Sequence, residues 1–295
     1  MDKLSTLLQS GKPILLDGAM GTMLMDAGLV PGVSPEEWNV LFPEKVKQIH
    51  RAYIEAGSQI ILTNSFGGSA IRLDTHGLAE RVFELNEAAA RNAREQADAA
   101  PETVIVAGSI GPSGQLMEPY GKMRFDDARL SFADQAAGLA EGGVDLFWIE
   151  TMSDLEEVKA AVEGVRSVSE LPIAATMSFD SHGRTMMGVK PEQAVETLRD
   201  LNIQMIGANC GTGSDELIQA VKAIKLANPN IPIIAKANAG IPVIVGTEIV
   251  YNGSPEVMAA YAIEAWQEGA VLIGGCCGST PEHIRAMAES LADIK

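Results

Sequence analysis

Cysteine is nearly absent from this chain: three residues, Cys210, Cys276 and Cys277, in a sequence of 295. So sparse and odd a set builds no disulfide framework, which leaves inert core thiols, redox chemistry or a metal site. Histidine is almost as scarce. None of His50, His76, His182 and His283 shows His-x-x-x-His spacing or stands at a strand end beside the cysteines. Histidine-based metal sites are thereby excluded, and surface or capping roles are expected for all four. Basic residues number 22 against 39 acidic ones, and the resulting charge of −17 repels phosphate backbones and anionic lipid. Nucleic acid and membrane surfaces are excluded as partners. No stretch approaches the roughly 20 apolar residues of a spanning helix, and 1–13 lacks the apolar run of a signal peptide, so a cytoplasmic protein is expected.

What is present instead is a repeat. Short runs rich in Ile, Val and Leu alternate with longer segments of helical apolar spacing. Eight runs read as strands, near 13–17, 59–63, 104–109, 144–150, 172–178, 204–209, 232–236 and 270–274. Runs without polar alternation have to be buried on both faces, as parallel strands beneath helices are. The expected fold is α/β, a single (β/α)8 TIM barrel with 1–295 as one domain; a length beyond about 250 residues is ordinary for such a barrel. A doubly wound open sheet shares the pattern and is the alternative. Ser153 with Glu156 reads as a capping box, Ser254-Pro255-Glu256 opens the next-to-last helix and Pro281 the last. Two long insertions, 19–39 and 111–125, follow the first and third runs, on the side where this architecture builds its active face.

The unusual residues fall at the ends of these runs. Asp17-Gly18-Ala19-Met20 closes the first, Glu150-Thr151 the fourth, Asn209-Cys210-Gly211 the sixth and Gly274-Gly275-Cys276-Cys277-Gly278 the eighth, with Asn238 just past the seventh. In a closed barrel all of them converge on one mouth. One strand separates the sixth from the eighth, so the three sulfurs come within reach of a single ion. Zinc accepts tetrahedral sulfur ligation, and three protein ligands leave a fourth position for substrate. A trithiolate centre polarises carbonyls weakly, yet it lowers the pKa of a substrate thiol and keeps the sulfur electron-rich. Alkyl transfer to sulfur is the expected chemistry. The bland alternative is a core thiol at Cys210 and an accidental vicinal pair.

Asp17 and Glu150 are matched to the ammonium group of an amino acid, against the alternative that each caps the turn that follows it. The amides about Gly18, Ala19 and Met20 are matched to a carboxylate, and Asn209 is placed among the substrate contacts. Asp180-Ser181-His182-Gly183 approaches a corrinoid-binding Asp-x-His-x-x-Gly pattern, but Thr185 stands where the last glycine belongs. The chain is therefore not expected to hold a corrinoid by itself.

Leu-Leu-Asp-Gly-Ala-Met-Gly-Thr at 15–22, Ile-Leu-Thr-Asn-Ser-Phe-Gly at 61–67, Gly-Ala-Asn-Cys-Gly at 207–211 and Gly-Gly-Cys-Cys-Gly-Ser-Thr-Pro-Glu-His-Ile at 274–284 together resemble the homocysteine S-methyltransferase family. The likeness spans nearly the whole chain. With Gly111-Pro112-Ser113-Gly114 and Ala237-Asn238-Ala239-Gly240 it is similar above all to the homocysteine-binding module of cobalamin-dependent methionine synthase. That resemblance implies a (β/α)8 barrel, zinc on Cys210, Cys276 and Cys277, and homocysteine bound through its thiol. It implies that Glu150, Asp17 and the amides around Ala19 and Met20 hold the amino-acid end, and that Asn238 supplies zinc with an oxygen before substrate arrives. Neither a folate-binding, corrinoid-binding or reactivation segment nor the extension of the betaine-using branch is expected beyond Lys295. A separate protein carrying methylcobalamin is thus the expected donor partner. A small sulfonium or betaine donor, or another thiol acceptor, is the alternative.

Overall fold

Every apolar run is sealed on both faces, which a parallel sheet between an inner core and an outer layer of helices provides. The computed structural model describes residues 3–180, 182–211, 213–245 and 248–292, without the side chains of 244, 245, 248 and 249. Ser181, in the corrinoid-like run, lies outside the described residues. The strands are β1 (Ile14–Leu15), β2 (Ile60–Leu62), β3 (Ile105–Ile110), β4 (Leu146–Met152), β5 (Ile173–Met177), β6 (Met205–Asn209) and β7 (Ile233–Ala237), then β8 (Pro242–Val245), β9 (Glu248–Tyr251) and β10 (Ala270–Gly275). All except β8 and β9 join one parallel sheet in the order β1-β10-β7-β6-β5-β4-β3-β2. A parallel bridge between Leu16 and Ile60 joins its two ends. Across that seam Gln59 N donates to Leu15 O at 2.8 Å and Asp17 N to Ile60 O at 3.1 Å. The sheet is a closed (β/α)8 barrel, and the open-sheet alternative is gone.

Neighbouring residues of a strand serve different cores, following the two-residue period of extended chain. Leu16, Ile60, Ile105, Trp148, Ala174, Met205, Ile234 and Leu272 fill the barrel interior. Leu15, Ile61, Val106, Phe147, Ala175, Ile206, Ala235 and Ile273 face outward under the helices. The interior is therefore a packed plug, and chemistry is confined to the loops at the strand C-termini. Among the described residues no helix is long and apolar enough to cross a membrane.

Several local expectations need correction. The helix Leu155–Arg166 is capped by Asp154, whose carboxylate accepts from Glu156 N at 2.8 Å, and not by Ser153. The cap lies at Asp154 because its carboxylate, two residues before Glu156, reaches that free amide directly. Ser254 does cap the helix Pro255–Gln267. The insertion 19–39 is partly helical, over Met20–Asp26 and Trp38–Leu41. The strands β8 and β9 form an antiparallel hairpin that the sequence pattern did not reveal. His50, expected at the surface or in a cap, is fully buried in the helix Pro43–Glu55 with both ring nitrogens unpartnered. His283 does cap: its Nδ1 accepts from Thr280 N at 3.1 Å, and Nε2 pairs with Gly253 O at 2.9 Å.

Candidate metal centre

In the sheet order β7 lies between β6 and β10, and the cysteines stand immediately after its two neighbours. β7 splints them together. Cys210 N donates to Lys236 O at 3.0 Å, Cys276 N to Ala237 O at 2.6 Å, and Ala239 N to Cys277 O at 2.9 Å. Asn238 completes the brace, its Oδ1 accepting from Cys277 N at 3.1 Å and its Nδ2 donating to Gly211 O at 2.9 Å. Both ends of the Asn238 amide are engaged in holding the two cysteine loops. As a result the sulfurs of Cys210, Cys276 and Cys277 all lie within 4.8 Å of one another, the one such group of potential metal ligands among the described residues.

The glycines flanking the vicinal pair do two different jobs. Gly278 (φ 77°) turns the chain in the left-handed region. Gly275 instead lies within β10 and permits close approach: a Cβ there would stand 2.2 Å from Ser279 Oγ.

The donor set fits a thiophilic metal. A tetrahedral centre with Zn–S bonds of about 2.3 Å spaces its sulfurs about 3.8 Å apart, within the separation found here. The three sulfurs share charge unequally. Cys277 is pulled down to about 3 by hydrogen bonds from Cys210 and then Cys276. Cys210 is pushed up by its hydrogen bonds to Cys276 and Cys277 and by burial. Cys276 is drawn down by Cys210 but pushed up further by Cys277 and burial. A trio that already concentrates negative charge at one point is prepared for a cation.

Beside the sulfurs lies a buried row of charge. Asp17 Oδ1 accepts from Lys236 Nζ at 3.1 Å and Oδ2 from Leu62 N at 2.7 Å, so both carboxylate oxygens are engaged. Burial raises the Asp17 carboxyl despite the opposing pull of Lys236. Burial likewise works against the charge on Lys236, but Asp17, Glu150 and Cys276 outweigh it and hold the ammonium protonated. Glu150 is nearly buried too, and Ser109 Oγ donates to its Oε1 at 2.5 Å. Burial raises Glu150, with Lys236 opposing. Lys236 Nζ stands 5.9 Å from the Trp148 ring centroid, which places that indole beneath the row as its floor.

The remaining predicted contacts are distributed unevenly. Ala19 N is taken by Ser279, through O at 3.3 Å and Oγ at 3.1 Å, while Met20 opens a helix. Gly18 is packed so tightly that a Cβ would stand 2.8 Å from Tyr53 Cε1. Asn209 touches Thr151, Thr176 and the sulfurs. Sequence reasoning passed over Lys236, Ser109 and Tyr251. A lysine inside the otherwise apolar Ile233–Ala237 was a usable signal, since a charge buried on both faces needs a partner; nothing local marked the other two.

A family model described as homocysteine S-methyltransferase matches residues 14–291. The chain belongs to the homocysteine S-methyltransferase family. Among its relatives the methionine synthase of Mycobacterium tuberculosis is 33% identical over 95% of this chain and 24% of the relative, and that of Mycobacterium leprae 33% identical over 99% and 25%. The chain thus spans about a quarter of the length of these relatives. The homocysteine methyltransferase MmuM of Escherichia coli has the same fold. Its oxidized form superposes with a TM-score of 0.83 at 25% identity, covering 98% of this chain and 99% of that one, and its metallated form with 0.84 at 24% over the same shares. A methyltransferase from Methanosarcina mazei, 12% identical with a TM-score of 0.63 over 98% of this chain and 97% of that one, shares the fold alone.

Proposed function

We propose that this chain transfers a methyl group to the thiol of homocysteine to give methionine, with zinc held by Cys210, Cys276 and Cys277, and that 1–295 acts as one homocysteine-binding domain. The observation that carries this reading is the meeting of three sulfurs from two distant segments at the open end of the barrel. The family to which the chain belongs supports the acceptor, and the metallated form of MmuM supports a metal. When bound, zinc supplies a Lewis acid at which a thiol gives up its proton near neutral pH.

The protein's own residues do the rest. The packed interior, of which Trp148 is part, confines the acceptor to the mouth. Glu150, with one oxygen held by Ser109, presents the other to the acceptor's ammonium group. Asp17, locked by Lys236 and Leu62 N, shapes the wall beside it together with Gly18, Ala19 and Met20. Orientation of the thiol against the donor methyl then supplies much of the rate. We assign the donor as methylcobalamin carried by a separate corrinoid protein.

The test is labelled-methyl transfer by the zinc-loaded chain to homocysteine and to other thiols, from a methyl-corrinoid protein, a sulfonium compound or betaine in turn. Labelled methionine from the corrinoid donor supports the proposal. Turnover with the sulfonium or betaine alone replaces the donor, and label on another thiol replaces the acceptor. X-ray absorption showing three sulfur neighbours in both the presence and absence of homocysteine would sink the metal-centred reading.

A further inference from the structure

The hydrogen bonds around Asn209 lead away from the substrate and toward the sulfurs. Its side chain is buried, and its orientation is fixed, because Oδ1 accepts from Thr151 N at 3.0 Å and from Thr176 Oγ1 at 2.7 Å. A main-chain amide on one side forces the NH2 group to the other. There Nδ2 donates to Thr151 Oγ1 at 2.7 Å and faces Cys210 Sγ at 3.5 Å and Cys276 Sγ at 3.8 Å. Sulfur is a weak acceptor, but as a thiolate it takes such donors readily.

The third sulfur has a neighbour of its own. Tyr251 stands against the loop that carries Cys277, and its hydroxyl, after Cys210 and Cys276, helps to hold the Cys277 thiol low. Its ring lies directly on Gly278, where a Cβ would stand 2.2 Å from Tyr251 Cγ. Tyr251 ends β9, and the hairpin is tied down just beyond it by Gly253 N donating to Ala239 O at 2.8 Å. The phenol is thus delivered to the sulfurs by a braced segment.

The backbone is strained where this arrangement is held. Thr151 has φ 63° and Cys210 φ 58°. A β-branched residue in the left-handed region is rare and persists only where its surroundings over-determine it. Thr151 donates its amide to Asn209 and accepts from it at its hydroxyl, and those two bonds do the over-determining.

We propose that Asn209 and Tyr251 are positioning residues that act through the cysteines, furnishing every one of the three sulfurs with a hydrogen-bond donor that fixes its orientation and drains charge from it. The proposal rests on the reading of the cysteines as metal ligands. Ligands oriented by outer partners bind metal better, and sulfurs relieved of charge compete less for protons. Less electron-rich sulfurs also leave the cation a stronger acid toward an incoming thiol. Asn209 then belongs to the metal centre and not to the amino-acid end.

The experiment replaces zinc with cobalt(II) in the full chain and compares wild type with Tyr251→Phe and Asn209→Asp. The readouts are the energy of the thiolate-to-cobalt charge-transfer band and zinc affinity by chelator competition. Tyr251→Phe keeps the ring and removes only the hydroxyl, so its melting temperature should be unchanged and serves as the folding control. We expect its band to move to lower energy and zinc affinity to fall about tenfold or more, with the same direction in Asn209→Asp. A wild-type band that is unmoved in Tyr251→Phe, with affinity within about twofold, overturns the donor assignment alone. A wild-type protein that shows no such band overturns the metal reading and this inference with it.

Discussion

Replacing Lys236 with methionine removes an ammonium from the barrel mouth while keeping a chain of similar bulk. The Lys236 Nζ and Asp17 Oδ1 atoms stand 3.1 Å apart, with side chains only 4% and 3% exposed. At an effective dielectric of about 20, unit charges at this distance attract by about 5 kcal/mol, and desolvation offsets much of that. The pair is therefore worth little net, but breaking it leaves a buried carboxylate without a counter-charge, at a cost of about 3–5 kcal/mol. The pH dependence follows from Asp17, which burial already raises and which rises further once Lys236 is gone. A carboxyl with a raised folded-state pKa binds its proton more tightly in the fold. The variant's deficit is accordingly smallest below the unfolded carboxyl value of about 4 and grows as pH rises through the folded one. Urea unfolding of Lys236→Met at pH near 8 and near 5 should show the larger loss at the higher pH, and Asp17→Asn added to Lys236→Met should recover most of it. Equal urea midpoints for wild type and Lys236→Met at both pH values would refute the reasoning.

Three further outcomes are expected. Cys210→Ala should lower zinc affinity by at least about a hundredfold, more than loss of an outer partner does, and abolish methyl transfer; metal analysis after dialysis checks it. Glu150→Gln should raise KM for homocysteine about ten- to a hundredfold, the worth of a hydrogen bond to a charged group, while leaving a thiol without an amino group unaffected; steady-state kinetics with both thiols decides. His50 is lowered by burial to about 4, so it favours the fold above the unfolded value of about 6.5, and that contribution is lost as pH falls toward the folded value. The loss amounts to about 3 kcal/mol, and His50→Leu should flatten stability against pH over that window in denaturant titrations.

The barrel was legible because its strands are largely apolar and lack polar alternation, and period alone separates them from the helices. Strand ends shifted by one or two residues, as β4 did in running on to Met152. The metal centre was legible for a different reason: rare residues of one chemistry fell at ends that only a closed ring brings together. What escaped was set by partners distant in sequence. The hairpin carrying Tyr251 has too few residues per strand for alternation to stand out. The partner of Lys236 lies 219 positions away, and no local pattern reports it. Asp17 was matched to substrate because it stands at a strand end; in the fold both its oxygens are engaged by Lys236 and Leu62 N. His50 was misplaced because a helical position says nothing of which nitrogen will find a partner, and here neither does.

The seam between β1 and β2 has an unusual last rung. Two peptide hydrogen bonds cross it, and the next contact up is made by a side chain, Asp17 Oδ2 accepting from Leu62 N at 2.7 Å. Ring closure and the electrostatics of the entrance are for this reason properties of one carboxylate. Asparagine at that single position would keep an oxygen for Leu62 N and change only the field at the doorway, whereas loss of the side chain removes the rung and the charge together.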